Sequence, residues 1–238
     1  MIDYFVYNGV SSAAYSARVF PTRSMLRAPA HKYNKVTVPG RSGALLMDLA
    51  SYDNIQREYD VQIANDSDLA AFDALRNYLA SCTGYLRLTD SFDTAHYYMA
   101  AYTEAFDMDA DWRSKKRGRG TVTFDCMPQR FLLSGETVQI FTASGTIENP
   151  TLFPAKPLLR VYGNGTVGVG STNITIVNTD VYTDIDCAMG YAYKGGSSKN
   201  LNVSLSSRDF PSLAAGETGI SLGTGITRVE VTPRWWTV

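Results

Sequence analysis

Histidine is nearly missing from this chain of 238 residues: there are two, His31 and His96. Neither has a partner at metal-ligand spacing, and no H-E-x-x-H or G-x-S-x-G occurs. No catalytic residue, no metal site and no cofactor is therefore expected, and an enzyme is not the expected reading. A Cys/His pair such as His96 with Cys126 stays open on residue type alone. Cysteine is scarce too. Cys82, Cys126 and Cys187 make an odd number with no C-x-x-C, which points to buried reduced thiols. A net charge of −1 gives no global field drawing the chain to nucleic acid or an anionic membrane. The start lacks a charged-then-apolar leader, and the apolar runs fall far short of the about 20 residues a spanning helix needs. No membrane insertion is expected, and synthesis in a cytoplasm is. Four N-x-S/T sequons begin at Asn65, Asn164, Asn173 and Asn202, relevant only in a eukaryotic secretory pathway.

What is present is β-rich. "YFVYNGV" (4–10) is aromatic and β-branched and runs into Asn-Gly, a hairpin turn. "NKVTVPGRSGALL" (34–46) alternates, breaks at Pro39-Gly40 and resumes. "REYDVQI" (57–63) puts Tyr59, Val61 and Ile63 on one face. One helix is expected within 65–84, where Leu69, Phe72, Leu75, Leu79 and Cys82 recur at spacings of three and four. Asp66 or Ser67 caps its start and Gly84 its end. Strand candidates follow at 84–90, 96–106 and 120–128, the last with Val122, Phe124 and Cys126 opposing Thr121, Thr123 and Asp125 and ending at Pro128.

From about 134 the composition shifts to Gly, Thr, Ser and Asn, with short strands between turns, the pattern of an antiparallel sandwich or barrel. The division is set at 1–133 and 134–238. "YGNGTVGVG" (162–170) contains a G-x-G-x-x-G. A phosphate loop of that kind leads into a helix N-terminus; here "STNITIVNTD" follows, so the glycines read as a hairpin turn.

Carboxylates gather at Glu104, Asp107, Asp109 and Asp111, without the glycine and late glutamate of an EF-hand. Basic residues come next: Arg113, Lys115, Lys116, Arg117 and Arg119. Such a run is either a solvated loop or a contact to a protein partner or phosphate backbone. Fifteen tyrosines and the terminal "PRWW" fit either interfaces or sandwich packing.

Five stretches, in order, resemble the distal tail protein (Dit) family of long non-contractile-tailed bacteriophages: "YFVYNGVSS", "VTVPGRSGALLMD", "GTVTFDCMPQRFLLSGE", "NPTLFPAKPLLRVYGNG" and the closing "IDCAMGYAY…DFPSLAAGETGISLGTGITRVEVTPRWW". The resemblance covers nearly the whole chain. It implies a mainly β fold, with an N-terminal β-sandwich-like ring domain carrying one α-helix and a C-terminal galectin-like β-sandwich. It further implies a structural hub at the distal end of the tail, usually a homohexameric ring. Such a ring joins the tail tube protein to a tail-tip lysin or fibre protein, with a receptor-binding protein as a further partner. The expected location is the virion, after assembly in the host cytoplasm, with no sequence-specific nucleic acid bound.

Val38, Pro39, Gly40, Arg41, Ser42, Gly43, Val122 and Phe124 are the candidate ring or partner contacts. Arg113, Lys115, Lys116, Arg117 and Arg119 are the candidate channel- or tube-facing loop. The alternative is a carbohydrate-binding β-sandwich for host recognition, with Trp235 or Trp236 stacking on a sugar. A galectin-type site would need a histidine, and the second half has none. Compared with the larger members of that family, 238 residues leave no room for a long arm or an inserted carbohydrate module, so direct host adsorption by this chain is not expected.

Overall fold

The structure, a computed structural model, describes residues 3–22, 24, 27–64, 70–106, 108–110 and 117–238. It is mainly β, with one α-helix among the described residues. The chain forms two compact units, one ending at Arg130 and including Val238, the other Phe131–Thr237.

In the first unit, β1 (Phe5–Tyr7) and β2 (Val10–Ser11) make a hairpin over Asn8-Gly9. Their φ angles of 47° and 80° are the positive values that a two-residue turn of matching twist needs. Then come β3 (Ala17–Pro21), β4 (His31–Thr37), β5 (Ala44–Tyr52) and β6 (Ile55–Ala64). Helix α1 spans Ala70–Ser81, followed by β7 (Leu86–Asp90), β8 (His96–Tyr102), β9 (Met108–Ala110) and β10 (Arg117–Leu132), the last of which runs two residues past Arg130. One curled sheet has the order β2-β1-β7-β8-β10-β6-β3, with β9 also on β10, while β4 and β5 form a separate two-stranded sheet.

Alternation builds this core as the residues dictate. Tyr59, Val61 and Ile63 of β6 and Val122, Phe124 and Cys126 of β10 are all buried. Leu75 and Leu79 of α1 pack into the same cluster, with Phe72 and Cys82 half-buried beside them. The expected cap residues Asp66 and Ser67, and Leu69, lie outside the described residues. Strand β10 does not stop at Pro128. Its pairing to β6 runs from Arg117↔Ala64 to Cys126↔Ile55. The proline falls past the last of those bonds, where its missing N–H removes nothing from that ladder.

The second unit is a two-sheet sandwich. Its strands are β11 (Gln139–Phe141), β12 (Gly145–Asn149), β13 (Leu158–Gly163), β14 (Gly165–Val169), β15 (Thr172–Ile176) and β16 (Tyr182–Asp186). They continue with β17 (Tyr191–Lys194), β18 (Ser197–Ser198), β19 (Val203–Leu205), β20 (Gly216–Leu222) and β21 (Ile226–Thr232). Six strands run β11-β21-β13-β16-β17-β18 and five run β12-β20-β14-β15-β19. Leu159, Val161, Ile185, Val229 and Val231 from the first sheet meet Ile147, Val167, Val169, Ile174, Ile176 and Ile220 from the second in one buried cluster.

The glycine motif at 162–170 is corrected by this topology. Strands β13 and β14 lie in different sheets, so Gly163-Asn164-Gly165 is an arch between sheets rather than a hairpin. Gly163 has φ 101° and Gly165 φ 153°. A Cβ on Gly163 would strike the Gly225 carbonyl oxygen, and one on Gly165 the Thr224 carbonyl oxygen. The glycines permit backbone-on-backbone packing, and a strand follows them, not a helix.

Candidate assembly surface

The hairpin β4–β5 is the most unusual surface of the first unit. All of β4 and most of β5 is exposed. Register pairs Val36 with Leu45 and Asn34 with Met47, while Lys35 faces Leu46 and Tyr33 faces Asp48. Opposed residues share a face, so Val36, Leu45 and Met47 fall on one side, joined by Leu49 two residues on. These four are 38%, 40%, 51% and 55% exposed. A two-stranded ribbon is marginal in water by itself. This one shows water the residues that a ribbon would normally bury.

The segment Val38–Gly43 is the tip of that ribbon. The Arg41 N–H donates to the Val38 carbonyl at 3.2 Å, and Gly40 (φ 78°) and Gly43 (φ 83°) take up the turn. All six tip residues are exposed. Val122 and Phe124 are not. At 1% and 0% exposure they belong to the core, so their side chains are unavailable to a neighbour. Their alternation, which made them conspicuous in the sequence, is the mark of the buried face. Of the basic run, Arg113, Lys115 and Lys116 lie outside the described residues, and Arg117 opens β10. Arg119 is exposed and pairs with Asp60 at 3.1 Å, an interaction worth little in water.

The core beneath holds a charged group that the sequence did not flag. Arg57 and Asp90 are paired at 2.6 Å with side chains 3% and 2% exposed. Asp90 Oδ2 also accepts from Arg57 Nε (3.1 Å) and the Tyr59 hydroxyl (2.7 Å), and Oδ1 accepts from the N–H groups of Phe92 and Asp93. Arg57 Nη1 donates to the Tyr98 hydroxyl at 3.2 Å. Burial works against the guanidinium, and the Tyr59 and Asp90 oxygens outweigh it, so Arg57 stays firmly protonated. Burial likewise pushes the Tyr59 phenol well above its usual range. With both carboxylate oxygens supplied, the cluster ties β6, β7 and β8 together. The only sequence hint was Arg57 at the head of an alternating strand, on the same face as Tyr59.

The three cysteines are free thiols. Burial pushes Cys126 and Cys187 up to about 12, so neither is a nucleophile at neutral pH. Among the described residues no group of three His, Cys, Asp or Glu is placed to hold a metal ion, and no helix is long and apolar enough to cross a membrane. The two tryptophans proposed for sugar stacking are already engaged. Trp235 is 3% exposed. Trp236 stacks on Phe153 at 4.6 Å and donates Nε1–H to the Pro154 carbonyl at 3.0 Å.

Neither a protein-family model nor a curated protein matches the sequence. Solved structures do match. The chain is similar over 100% of its length, and of the other chain's, to the SPP1 Dit protein, with a TM-score of 0.76 at 16% identity. That protein is described as a paradigm of the hub adsorption apparatus in phages infecting Gram-positive bacteria. The chain has the Dit fold. A chain of the phage p2 baseplate in its activated conformation is also similar, with a TM-score of 0.53, 10% identity and coverage of 97% and 98%. At such identity the Dit fold persists through the placing of apolar residues, turns and glycines rather than through particular side chains.

Proposed function

We propose that this chain is a structural phage tail protein. It forms a ring hub at the distal end of the tail and joins the tail tube to the tail-tip apparatus. Full-length likeness to the hub protein of another phage supports the reading. The observation that carries it is the β4–β5 ribbon, whose apolar face of Val36, Leu45, Met47 and Leu49 is left to water in a single chain. Exposed apolar surface of this kind marks a protein–protein contact. A contact between a protruding ribbon and a different patch on the next copy is heterologous, and heterologous contacts that close make rings.

In this reading the first unit forms the ring, which is hexameric, and Val38–Gly43 reaches the neighbouring copy. The galectin-like second unit faces outward to tail-tip or receptor-binding proteins, and the basic residues from Arg113 to Arg119 face the channel or the tube. The finished location is the virion tail tip, after assembly in the host cytoplasm. Negative-stain imaging and mass photometry of the purified chain test it. Six-fold rings are the expected result, with Leu45→Asp/Met47→Asp reducing them to single folded chains. A wild-type chain that stays single at high concentration, and that ignores tail tube and tail-tip proteins in a pull-down, overturns it.

A further inference from the structure

The second unit carries a cup of about 560 Å³ built from loops. Its wall residues Lys156, Met189, Arg208, Asp209, Phe210 and Ser212 all lie outside the strands. The loops are nonetheless pinned. Ala155 and Leu213 exchange backbone hydrogen bonds at 3.0 and 2.8 Å, and Asn149 Nδ2 donates to the carbonyls of Phe153 and Leu213. The Asp186 carboxylate accepts from the N–H groups of Ala188 and Met189 and is gripped by Arg234 at 2.8 and 2.9 Å. The Cys187 N–H donates to the Pro157 carbonyl at 3.1 Å. A cup held this way needs little rearrangement to receive a ligand.

Its chemistry is mixed and cationic. Lys156 and Arg208 form no ion pair among the described residues, and Asp209 is the one wall carboxylate against them. The Asp186 charge is already committed to Arg234. Apolar wall comes from Met189, 79% exposed, and the half-buried Phe210 ring, beside Cys187 and Ala188. Gly190, at φ 65°, leaves space over that ring; a Cβ there would sit 3.6 Å from it. We propose that this cup binds an anionic saccharide unit, its carboxylate or phosphate held by Lys156 and Arg208 and its C–H face against Phe210 and Met189. The volume falls in the range of small-ligand sites, about 300–1,000 Å³. A peptide seeking strand pairing finds no strand edge in the wall. The proposal does not rest on the ring reading.

Saturation-transfer NMR on the full-length chain, with glucuronic acid, glucose 6-phosphate, glucose and inorganic phosphate as probes, tests it. Saturable transfer to the ring protons of both anionic sugars is expected, and none to glucose. Lys156→Gln/Arg208→Gln should weaken binding at least about tenfold, equivalent to about 1.4 kcal/mol, and raised salt should weaken it in the wild type. Phe210→Ala should weaken both sugars yet leave inorganic phosphate, followed by phosphorus NMR, unchanged. Circular dichroism melts confirm that each variant is folded, and mass photometry on the same samples reports the ring separately. The proposal is overturned by equal binding of glucose, by unchanged affinity in the folded double variant, or by no saturation at tens of millimolar. Binding of an acidic peptide in place of the sugars also overturns it and assigns the cup to a protein partner.

Discussion

The two units solve the same problem, burying a β-sheet face, with different materials. The first has a curled sheet and fills it with large rings: Phe5 lies 5.1 Å from Tyr59 and 5.5 Å from Phe124, and Tyr7 4.8 Å from Phe124. In their midst sits the Arg57–Asp90 pair. The second stacks two sheets and fills the gap with Ile, Val and Leu, keeping its ion pairs Arg160–Asp184 and Arg234–Asp186 at the margin. Aliphatic side chains from facing sheets interdigitate without polar help. Buried phenols and a guanidinium demand partners and so fix one arrangement. The aromatic, charged core also belongs to the unit that bears the unsheltered ribbon.

The hardest blow to this contrast is Arg57→Met. It leaves Asp90 buried without its counter-charge and should destabilise the first unit by about 4 kcal/mol. Calorimetry should show the loss in that unit's transition, with Arg57→Met/Asp90→Leu recovering only part of it, because the buried Tyr59 hydroxyl also loses its acceptor. Full cost in the double variant would mean that the pair contributes stability beyond its mutual neutralisation. Next is Ile185→Ala, which opens a cavity in the aliphatic core and should cost about 3 kcal/mol in urea denaturation of the second unit.

Smaller is Asp186→Asn, about 2 kcal/mol through weaker bonds to Arg234. It also carries a pH signature. Burial raises the Asp186 value, but the Arg234 guanidinium and the N–H groups of Met189 and Ala188 outweigh burial and leave it depressed. A depressed carboxylate adds stability at neutral pH, and that share disappears as pH drops below about 4 and through the folded value. The asparagine variant should lack this part of the acid slope. Smallest in stability is Leu45→Ser/Met47→Ser, within about 0.5 kcal/mol for a single chain because the ribbon is exposed. Its effect should appear instead as lost assembly by mass photometry.

Much of the fold was readable because burial writes a period into the chain. Tyr59/Val61/Ile63, Val122/Phe124/Cys126 and the Leu75/Leu79 stripe all landed inside. The Asn8-Gly9 turn announced itself through residue type. Strand β20 carries a weaker signal, since "GETGISL" is dilute in apolar residues and its buried members Thr218 and Ile220 are separated by glycine. The arch at Gly163 was misread because a positive-φ glycine looks the same whether its strands pair or part. Which sheet each strand joins is decided by contacts far along the chain. The site was least legible: alternation marked Val122 and Phe124 but also buried them, and no local pattern says that the β4–β5 ribbon lacks a roof.

The arch has a practical corollary for anyone wishing to display cargo on this protein. Where Gly163 and Gly165 press against residues 224 and 225, an added Cβ would strike a backbone carbonyl, so a bulkier side chain should not be accepted there. The turn at Gly195-Gly196, between β17 and β18, meets no atom within 4 Å of an added Cβ at either position. A foreign epitope grafted there should leave the sandwich intact.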